Sequence, residues 1–459
     1  MANALIPLLT ISCCLALASV APAQNDTLKP GNFLRDYEQL ISAGGRFRLG
    51  FFSTSTESSR ALGSAGPRYL GIWRYDGSFP LYYAWVGNRE KPVPDSSGTL
   101  AIDEYGRLKI SYQGGPPIFL NNSTMPPFAA RNSSGGGRIT ATLLDTGNLV
   151  VRQLSTNGTT GRILWQSFDY PHNVLLPGMK LGMNLKTGQN WTLTSWLSDT
   201  VPAPGAFRLG LDPSGANQML VWRRDEIYWS SGEWKNGSFQ SAPVLTLFKD
   251  IYDFRFVATE EERYFTYSIK EKVNVLSKWD LDTLGVITVL TQNRIGTNNS
   301  WTFESTSPCF YDRYNYSAVC LTEKPSKCRN NSQGFVPKRG YLDYSGSLGY
   351  SFGASLAPSD CHAQCWGNCS CGAYSSASSS DGTTCEFWKA GTKFTPDDNF
   401  GFVYLLTDLG RTTATKILLD LNTEPTDNME PEMMLEEEDF LNSNEYDGAT
   451  NNIDFIVVK

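Results

Sequence analysis

Eight cysteines crowded between Cys309 and Cys385 have the clearest chemistry in this chain. The other two of its ten cysteines, Cys13 and Cys14, lie in an apolar N-terminal segment. An even number of clustered cysteines in a secreted chain indicates a local disulfide framework. Zinc is the alternative, but the spacing is uneven and the chain has only two histidines. We therefore predict disulfides, with no metal and no cofactor.

The two histidines, His172 and His362, are far apart in the sequence. Neither belongs to a pattern that pairs a nucleophile with a base, and isolated carboxylates are expected on the surface of a chain this size. We therefore expect no catalytic residue, and a protein that is not an enzyme.

The N-terminal segment predicts the compartment. The stretch Leu5–Val20 is almost wholly apolar and ends in Ala21-Pro22-Ala23, a signal-peptidase pattern. A membrane anchor is the alternative, but a segment this short with two internal cysteines makes a poor span. We expect a signal peptide at residues 1–23 and a secreted, extracellular product.

Sequons of the form Asn-x-Ser/Thr support an extracellular glycoprotein. The candidate sites are Asn25, Asn121, Asn122, Asn132, Asn157, Asn190, Asn236, Asn298, Asn315, Asn330 and Asn368.

The net charge of −7 is concentrated at the C-terminal end. From Arg411 onward the chain has twelve acidic and three basic residues, a net −9, which leaves about +2 for residues 1–410. Acidic sequence with few aromatic residues is typical of disorder, and we predict a disordered tail at 411–459. No basic stripe is present, so nucleic acid is not an expected partner.

From residue 24 to about 310, short alternating apolar segments separated by Gly, Asn and Asp predict an all-β chain. The segment Gly205–Leu211 repeats Gly45–Phe51 almost residue for residue. Each copy precedes a Trp-Arg pair, Trp73-Arg74 and Trp222-Arg223. We predict two related β-domains in tandem; chance similarity is the alternative. The twelve tryptophans could form a stacking surface, but we expect most of them in the cores.

Three motifs resemble the plant S-domain (G-type lectin) receptor-like kinase family. The first, Trp85-Val86-Gly87-Asn88-Arg89, resembles a bulb-type lectin signature. The second, Leu164–Pro171 followed by Leu175–Met179, is similar to the S-locus glycoprotein signature. The third, Asp360–Cys371 followed by Cys385–Trp388, is similar to the PAN/apple pattern.

The resemblance implies tandem β-prism domains, all-β, followed by a small disulfide-rich α+β PAN module. The expected boundaries are a signal peptide at 1–23, a bulb-type lectin domain at 24–157, an S-locus glycoprotein domain at 158–308, a connector at 309–333, a PAN domain at 334–410 and the acidic tail at 411–459. The resemblance also implies the bridges Cys361–Cys385 and Cys365–Cys371. Three pairings of Cys309, Cys320, Cys328 and Cys369 remain open.

Bulb-type lectins bind mannose through Gln-x-Asp-x-Asn-x-Val-x-Tyr. This chain has Leu144, Thr146, Asn148, Val150 and Arg152 at the five positions. Only Asn148 and Val150 match, so the motif is at most a degenerate sugar site. A site built to bind sugar hydroxyls loses affinity when its hydrogen-bonding groups are replaced. We therefore favour a turn role for Asn148 over a role in sugar binding.

By resemblance, we expect an extracellular recognition module that binds a protein, peptide or glycan, as in pollen recognition or defence signalling, and that dimerises with related ectodomains. The family's kinase motifs and membrane span do not occur in this sequence, so we expect a truncated receptor. The alternatives are a stand-alone mannose-binding defence lectin and part of an active receptor kinase at the plasma membrane.

Overall fold

The structure is a computed structural model. It describes residues 25–54, 66–74, 82–122, 139–155, 161–293, 301–306, 328–330, 333–379 and 382–408. The predicted signal peptide, the acidic tail, Cys309 and Cys320 lie outside these ranges. Within them the chain forms two β-prisms and a small α+β module, which confirms the predicted fold class.

Twelve strands build the first prism. They are β1 Thr27–Leu28, β2 Phe33–Arg35, β3 Gln39–Ile41, β4 Phe47–Phe52, β5 Tyr69–Arg74, β6 Tyr82–Val86, β7 Thr99–Ile102, β8 Leu108–Ser111, β9 Ile118–Phe119, β10 Ile139–Leu143, β11 Leu149–Gln153 and β12 Ile163–Gln166. They pair as three antiparallel sheets of four, in the orders β3-β4-β5-β6, β2-β7-β8-β9 and β1-β10-β11-β12. Because β12 completes the third sheet, the first prism continues past the expected boundary at residue 157.

Period-two alternation explains why the sheets close on one core. Leu49 on β4, Leu100 on β7 and Val151 on β11 come from different sheets and lie in the same buried cluster. Alternate residues on each strand point the other way, so each sheet has an inner apolar face and an outer face.

Thirteen strands repeat this plan in the second prism. They are β13 Val174–Leu175, β14 Leu181–Asn184, β15 Asn190–Trp191, β16 Leu193–Ser198, β17 Val201–Leu211, β18 Gln218–Arg223, β19 Glu226–Lys235, β20 Ser238–Phe239, β21 Tyr252–Ala258, β22 Glu262–Ile269, β23 Val275–Leu281, β24 Ile287–Asn293 and β25 Trp301–Thr306. Their sheets are β16-β17-β18-β19-β20, β15-β14-β22-β21 and β13-β23-β24-β25. Aromatic rings fill the core. The ring centroids of Phe265 and Tyr267 lie 5.2 and 5.6 Å, respectively, from the ring centroid of Trp279.

Strand register confirms that the two prisms are related copies. In the first, Arg48 on β4 pairs with Trp73 on β5. In the second, Arg208 on β17 pairs with Trp222 on β18. The repeated sequence segments therefore occupy the same place in the same kind of sheet.

The outer face of the β3-β4-β5-β6 sheet contacts the second prism. Phe52 stacks on Tyr83 at 4.0 Å between ring centroids, and Tyr83 lies 5.9 Å from Trp196 of β16. This aromatic contact is one part of the joint between the prisms.

The third unit packs one helix on a six-stranded sheet of order β27-β29-β28-β31-β26-β30. Its elements are β26 Gln333–Leu342, β27 Ser347–Gly353, α1 Pro358–Gly367, β28 Cys371–Ser379, β29 Gly382–Lys389, β30 Phe394–Pro396 and β31 Phe402–Asp408. Pro358 begins α1, and the Asp360 carboxylate accepts a hydrogen bond from the Ala357 N–H at 2.8 Å. The same carboxylate pairs with Arg224, which ties this unit to the second prism.

Candidate functional site

The segment Trp85–Arg89, at the end of β6, lies against the chain that leaves the first prism. The indole of Trp85 stacks on His172 with ring centroids 5.5 Å apart and donates from Nε1 to the Tyr170 carbonyl at 3.0 Å. The Val86 N–H donates to His172 Nδ1 at 2.9 Å. The first motif therefore contacts Tyr170, inside the second motif, and His172, which lies between the two parts of that motif.

Asn88 fixes the turn that directs Arg89. Its Oδ1 accepts a hydrogen bond from the Leu70 N–H at 2.7 Å, and its Nδ2 donates to the Lys91 carbonyl at 3.0 Å. The side chain is buried, so both ends of the amide are satisfied inside the protein.

Arg89 crosses from the first prism into the second. Its guanidinium donates to the carbonyls of Pro202 at 2.6 Å and Ser195 at 2.7 Å, with longer bonds to Thr194 and Ala203 at 3.3 Å. All four acceptors are on β16 and β17. Burial lowers the pKa of Arg89 to about 10, so the group stays charged at neutral pH. Arg89 acts as a charged clamp between the prisms.

His172 lies at the same joint and is partly buried. Burial, assisted by the Arg89 charge, holds the pKa of His172 well below its ordinary value of 6.5. The ring is therefore neutral, and its proton is on Nε2 because Nδ1 accepts from Val86. His362, the other histidine, packs edge-on against Phe335 at 5.2 Å. Both histidines thus serve packing contacts.

The two matching residues of the degenerate sugar motif are buried. Asn148, 7% exposed, donates to Gln166 Oε1 at 2.9 Å and accepts from Ser167 Oγ and the Phe168 N–H, both at 3.2 Å. Val150 is buried. These contacts leave neither side chain open to a sugar hydroxyl. They instead connect the turn after β10 to the second motif.

The structure contains the two bridges that the resemblance implies, Cys361–Cys385 and Cys365–Cys371. It also pairs Cys328 with Cys369, which the sequence left open. Arg329, next to Cys328, donates to the carbonyls of Cys365 at 2.9 Å and Cys371 at 2.6 Å. Among the described residues, no His, Cys, Asp and Glu group is arranged to hold a metal ion.

The described sequons differ in exposure. Asn121 is 7% exposed, and its Oδ1 accepts from the Leu108 N–H at 2.6 Å. The other sequon asparagines within the described residues are exposed: Asn25, Asn122, Asn190, Asn236, Asn330 and Asn368. The other candidates lie outside the described residues: Asn132, Asn157, Asn298 and Asn315.

A groove of about 630 Å³ on the second prism was not predicted from the sequence. It lies on the outer face of the β16-β17-β18-β19-β20 sheet, and Trp222 and Ile227 line it. The Trp222-Arg223 pair was recognised only as a mark of repetition. Trp222 lies on the outer face of β18 and is 8% exposed; which face it takes depends on strand register, which the sequence does not reveal.

No helix in the described part of the chain is both long and apolar enough to cross a membrane.

Three family models match the chain in order. They are the D-mannose binding lectin at residues 83–197, the S-locus glycoprotein domain at 229–339 and the PAN-like domain at 348–392. The S-locus-specific glycoprotein of Brassica oleracea var. alboglabra is 32% identical over 68% of this chain and 69% of its own length.

Receptor kinases of Arabidopsis thaliana are also similar. The G-type lectin S-receptor-like serine/threonine-protein kinase CES101 is 33% identical over 80% of this chain and 44% of its own length. The receptor-like serine/threonine-protein kinase SD1-8 is 30% identical over 76% of this chain and 42% of its own. The chain thus spans less than half of these kinases. Among solved structures, the Japanese Marasmius oreades lectin covers 31% of this chain at 14% identity and a TM-score of 0.20, too distant a likeness to support an argument.

Proposed function

Because this chain belongs to the plant S-domain family of G-type lectin receptor-like proteins, we propose that it is an extracellular recognition module that binds a protein, peptide or glycan. The observation that carries the proposal is the common joint of the first two signature motifs. Arg89, His172 and Trp85 join the two prisms, so the motif residues are used in packing between domains, and ligands are left to the remaining outer sheet faces.

The proposal includes secretion, removal of residues 1–23 and glycosylation. It also keeps the domain order lectin, S-locus glycoprotein and PAN, with the joint between the prisms after β12. The family roles of pollen recognition and defence signalling, and dimerisation with related ectodomains, are carried over as parts of this proposal. The matched domains are not catalytic ones, which agrees with a role in binding.

Expression of the full chain in plant cells tests the compartment. We expect a product in the extracellular fluid or at the cell surface that begins at Gln24 and shifts in mass after endoglycosidase treatment. Full-length, unglycosylated protein in the cytosol would contradict the proposal.

Recognition itself is tested with the purified, immobilised protein. Fractions of plant extracellular fluid, separated into peptide, protein and glycan pools, are passed over it, and binding is followed by surface plasmon resonance. The control is the same protein after reduction and heat denaturation. Saturable binding of at least one pool to the native protein alone is the expected result; binding that the denatured protein shares would refute it.

The kinase relatives favour a second candidate, in which recognition by this region is coupled to a kinase in one polypeptide. Full-length transcript sequencing across the segment that encodes residues 410–459 tests it. Reads that continue into a membrane span and kinase motifs support the receptor, and reads that end at Lys459 support a separate recognition protein.

A further inference from the structure

The three described bridges of the PAN module differ in their access to solvent. Cys361–Cys385 and Cys365–Cys371 tie α1 to the sheet, and all four of these cysteines are 0% exposed. Both cysteines of Cys328–Cys369 are exposed. Thiol–disulfide exchange requires that a thiolate reach a sulfur atom, so of these three bridges only Cys328–Cys369 is open to attack while the module is folded.

The two inner bridges belong to the core of the module. Their cysteines lie in the same buried cluster as Phe335 and Tyr374, between α1 and the sheet. A reductant would reach these sulfur atoms only after α1 had separated from the sheet. Reduction of the inner bridges is therefore coupled to unfolding of the module.

The exposed bridge joins the connector to the end of the helix. Cys369 lies in the turn between α1 and β28, and Cys328 precedes β26. Arg329, the next residue, makes a second tie at the same place. Its guanidinium donates to the carbonyls of Cys365 and Asn368 at 2.9 Å and to that of Cys371 at 2.6 Å. A cation is favoured at this C-terminal end of the helix.

The tie through Arg329 does not depend on the bridge. Arg329 is 8% exposed, and its guanidinium carbon lies 5.7 Å from the centroid of the Trp366 ring. With the bridge open, these contacts still hold the connector against α1 and keep the two cysteines close together. The bridge can then close again with the same partners.

We propose that Cys328–Cys369 is a reversible redox-modification site, which an extracellular dithiol opens while the PAN module stays folded. A thiolate of the dithiol attacks one sulfur, the S–S bond breaks, and the other cysteine leaves as a thiolate that takes up a proton. The second thiol of the dithiol then attacks the mixed disulfide and releases the second cysteine. Two electrons pass to the bridge, and the dithiol becomes a disulfide.

This inference rests on the proposed extracellular role, because the bridges must form in an oxidising compartment. The two can fail separately. Secretion is judged from where the chain is found, whereas this inference is judged from the order in which the bridges open.

The test is a time course of the intact, glycosylated chain in dithiothreitol, a small dithiol, without denaturant. Samples are alkylated with N-ethylmaleimide, and peptide mapping gives the opened fraction of each of the three bridges. Hydrogen exchange of the segment Pro358–Gly367 in the same samples shows whether α1 stays folded. A double variant, Cys328→Ser with Cys369→Ser, imitates the open state. Its matched control is Cys361→Ser with Cys385→Ser, which removes an inner bridge.

We expect Cys328–Cys369 to open at least about tenfold faster than either inner bridge, with the protection of α1 retained. Glutathione disulfide should then restore the same pairing. The double variant of the exposed bridge should keep α1 protected, and its control should lose that protection. Equal rates at the three bridges, earlier opening of an inner bridge, or loss of α1 protection as the first bridge opens would overturn the inference.

Replacement of Arg329 by methionine tests the second tie. In Arg329→Met, opening of the exposed bridge should be followed by opening of the inner bridges at least about tenfold faster than in the wild type. Lys338→Met, at an exposed lysine of β26, is the control and should behave like the wild type. Inner bridges that open no faster in Arg329→Met would show that Arg329 does not hold the opened module together.

Discussion

Replacement of Arg89 by methionine tests whether this residue clamps the two prisms together. Methionine keeps much of the length and apolar stem of arginine but removes the charge and all donors. The carbonyls of Pro202 and Ser195 then lose their shortest bonds, 2.6 and 2.7 Å, and the joint is too closely packed for water to replace them freely.

The expected loss follows from those two bonds. A hydrogen bond to a charged group contributes about 1.5–3 kcal/mol, so two contribute roughly 3–6 kcal/mol. Removal of the buried charge offsets part of this loss of stability, because burial disfavours the charged form of Arg89. We therefore expect the free energy of unfolding to fall by about 3 kcal/mol.

Urea unfolding at pH 7.5, followed by tryptophan fluorescence, measures the change because Trp85 and Trp165 lie at the joint. Arg255→Met, an exposed arginine on β21, is the control and should change stability by less than about 0.5 kcal/mol. Arg89→Lys should lie between the two, since lysine keeps the charge but lacks the planar fork. A loss in Arg89→Met no larger than in the control would refute the clamp.

Three further predictions concern the joint, the glycans and the bridges. In the native protein His172 is neutral, whereas in the unfolded chain its side chain takes up a proton below pH about 6.5. The stabilising contribution of His172 is therefore complete above that pH, and below it the free energy of unfolding falls by about 1.4 kcal/mol per pH unit. The difference in unfolding free energy between wild type and His172→Asn should therefore shrink from pH 7 to pH 5; a constant difference contradicts the buried neutral ring. Glycopeptide mass spectrometry should find a glycan on Asn122 and none on Asn121, whose amide is bonded to the backbone; Asn122→Gln should abolish modification of this segment, and a shift to Asn121 counts against the structure. Non-reducing peptide mapping should recover Cys328 linked to Cys369, and recovery of either cysteine with another partner would exclude that bridge.

Much of the fold could be predicted from the sequence because its signals are local. Alternating apolar residues indicated the strands, and the repeated Gly45–Phe51 segment indicated the tandem prisms, since β-sheet register preserves such a repeat. The PAN bridges followed from the family resemblance. Cys328–Cys369 did not, because 41 residues separate the two cysteines and three pairings were consistent with the spacing.

The candidate sites were harder to predict because they depend on contacts between distant segments. The sequence around Arg89 does not show that this residue donates to carbonyls 105–114 residues away. The motif alone is equally consistent with an arginine on the surface. The local sequence favoured a turn role for Asn148, but it did not show the bonds that this side chain makes to Gln166 and Ser167, 18 and 19 residues away. The groove at Trp222 depends on which face of β18 points outward.

The seating of Trp196 on the first prism has a consequence for how such domains assemble. The contact joins two different surfaces of related copies, so in principle it could be repeated, with each prism capping the previous one. An open head-to-tail series of this kind leads towards filaments unless one copy has lost the acceptor surface. The second prism carries Asp212 and Gln218 on its side of the corresponding face, much as a terminal repeat carries a polar outer surface. The polar groove therefore makes the second prism a poorer acceptor for a further aromatic side chain than the first prism is, and a variant that replaced those side chains with aromatic residues would risk polymerisation.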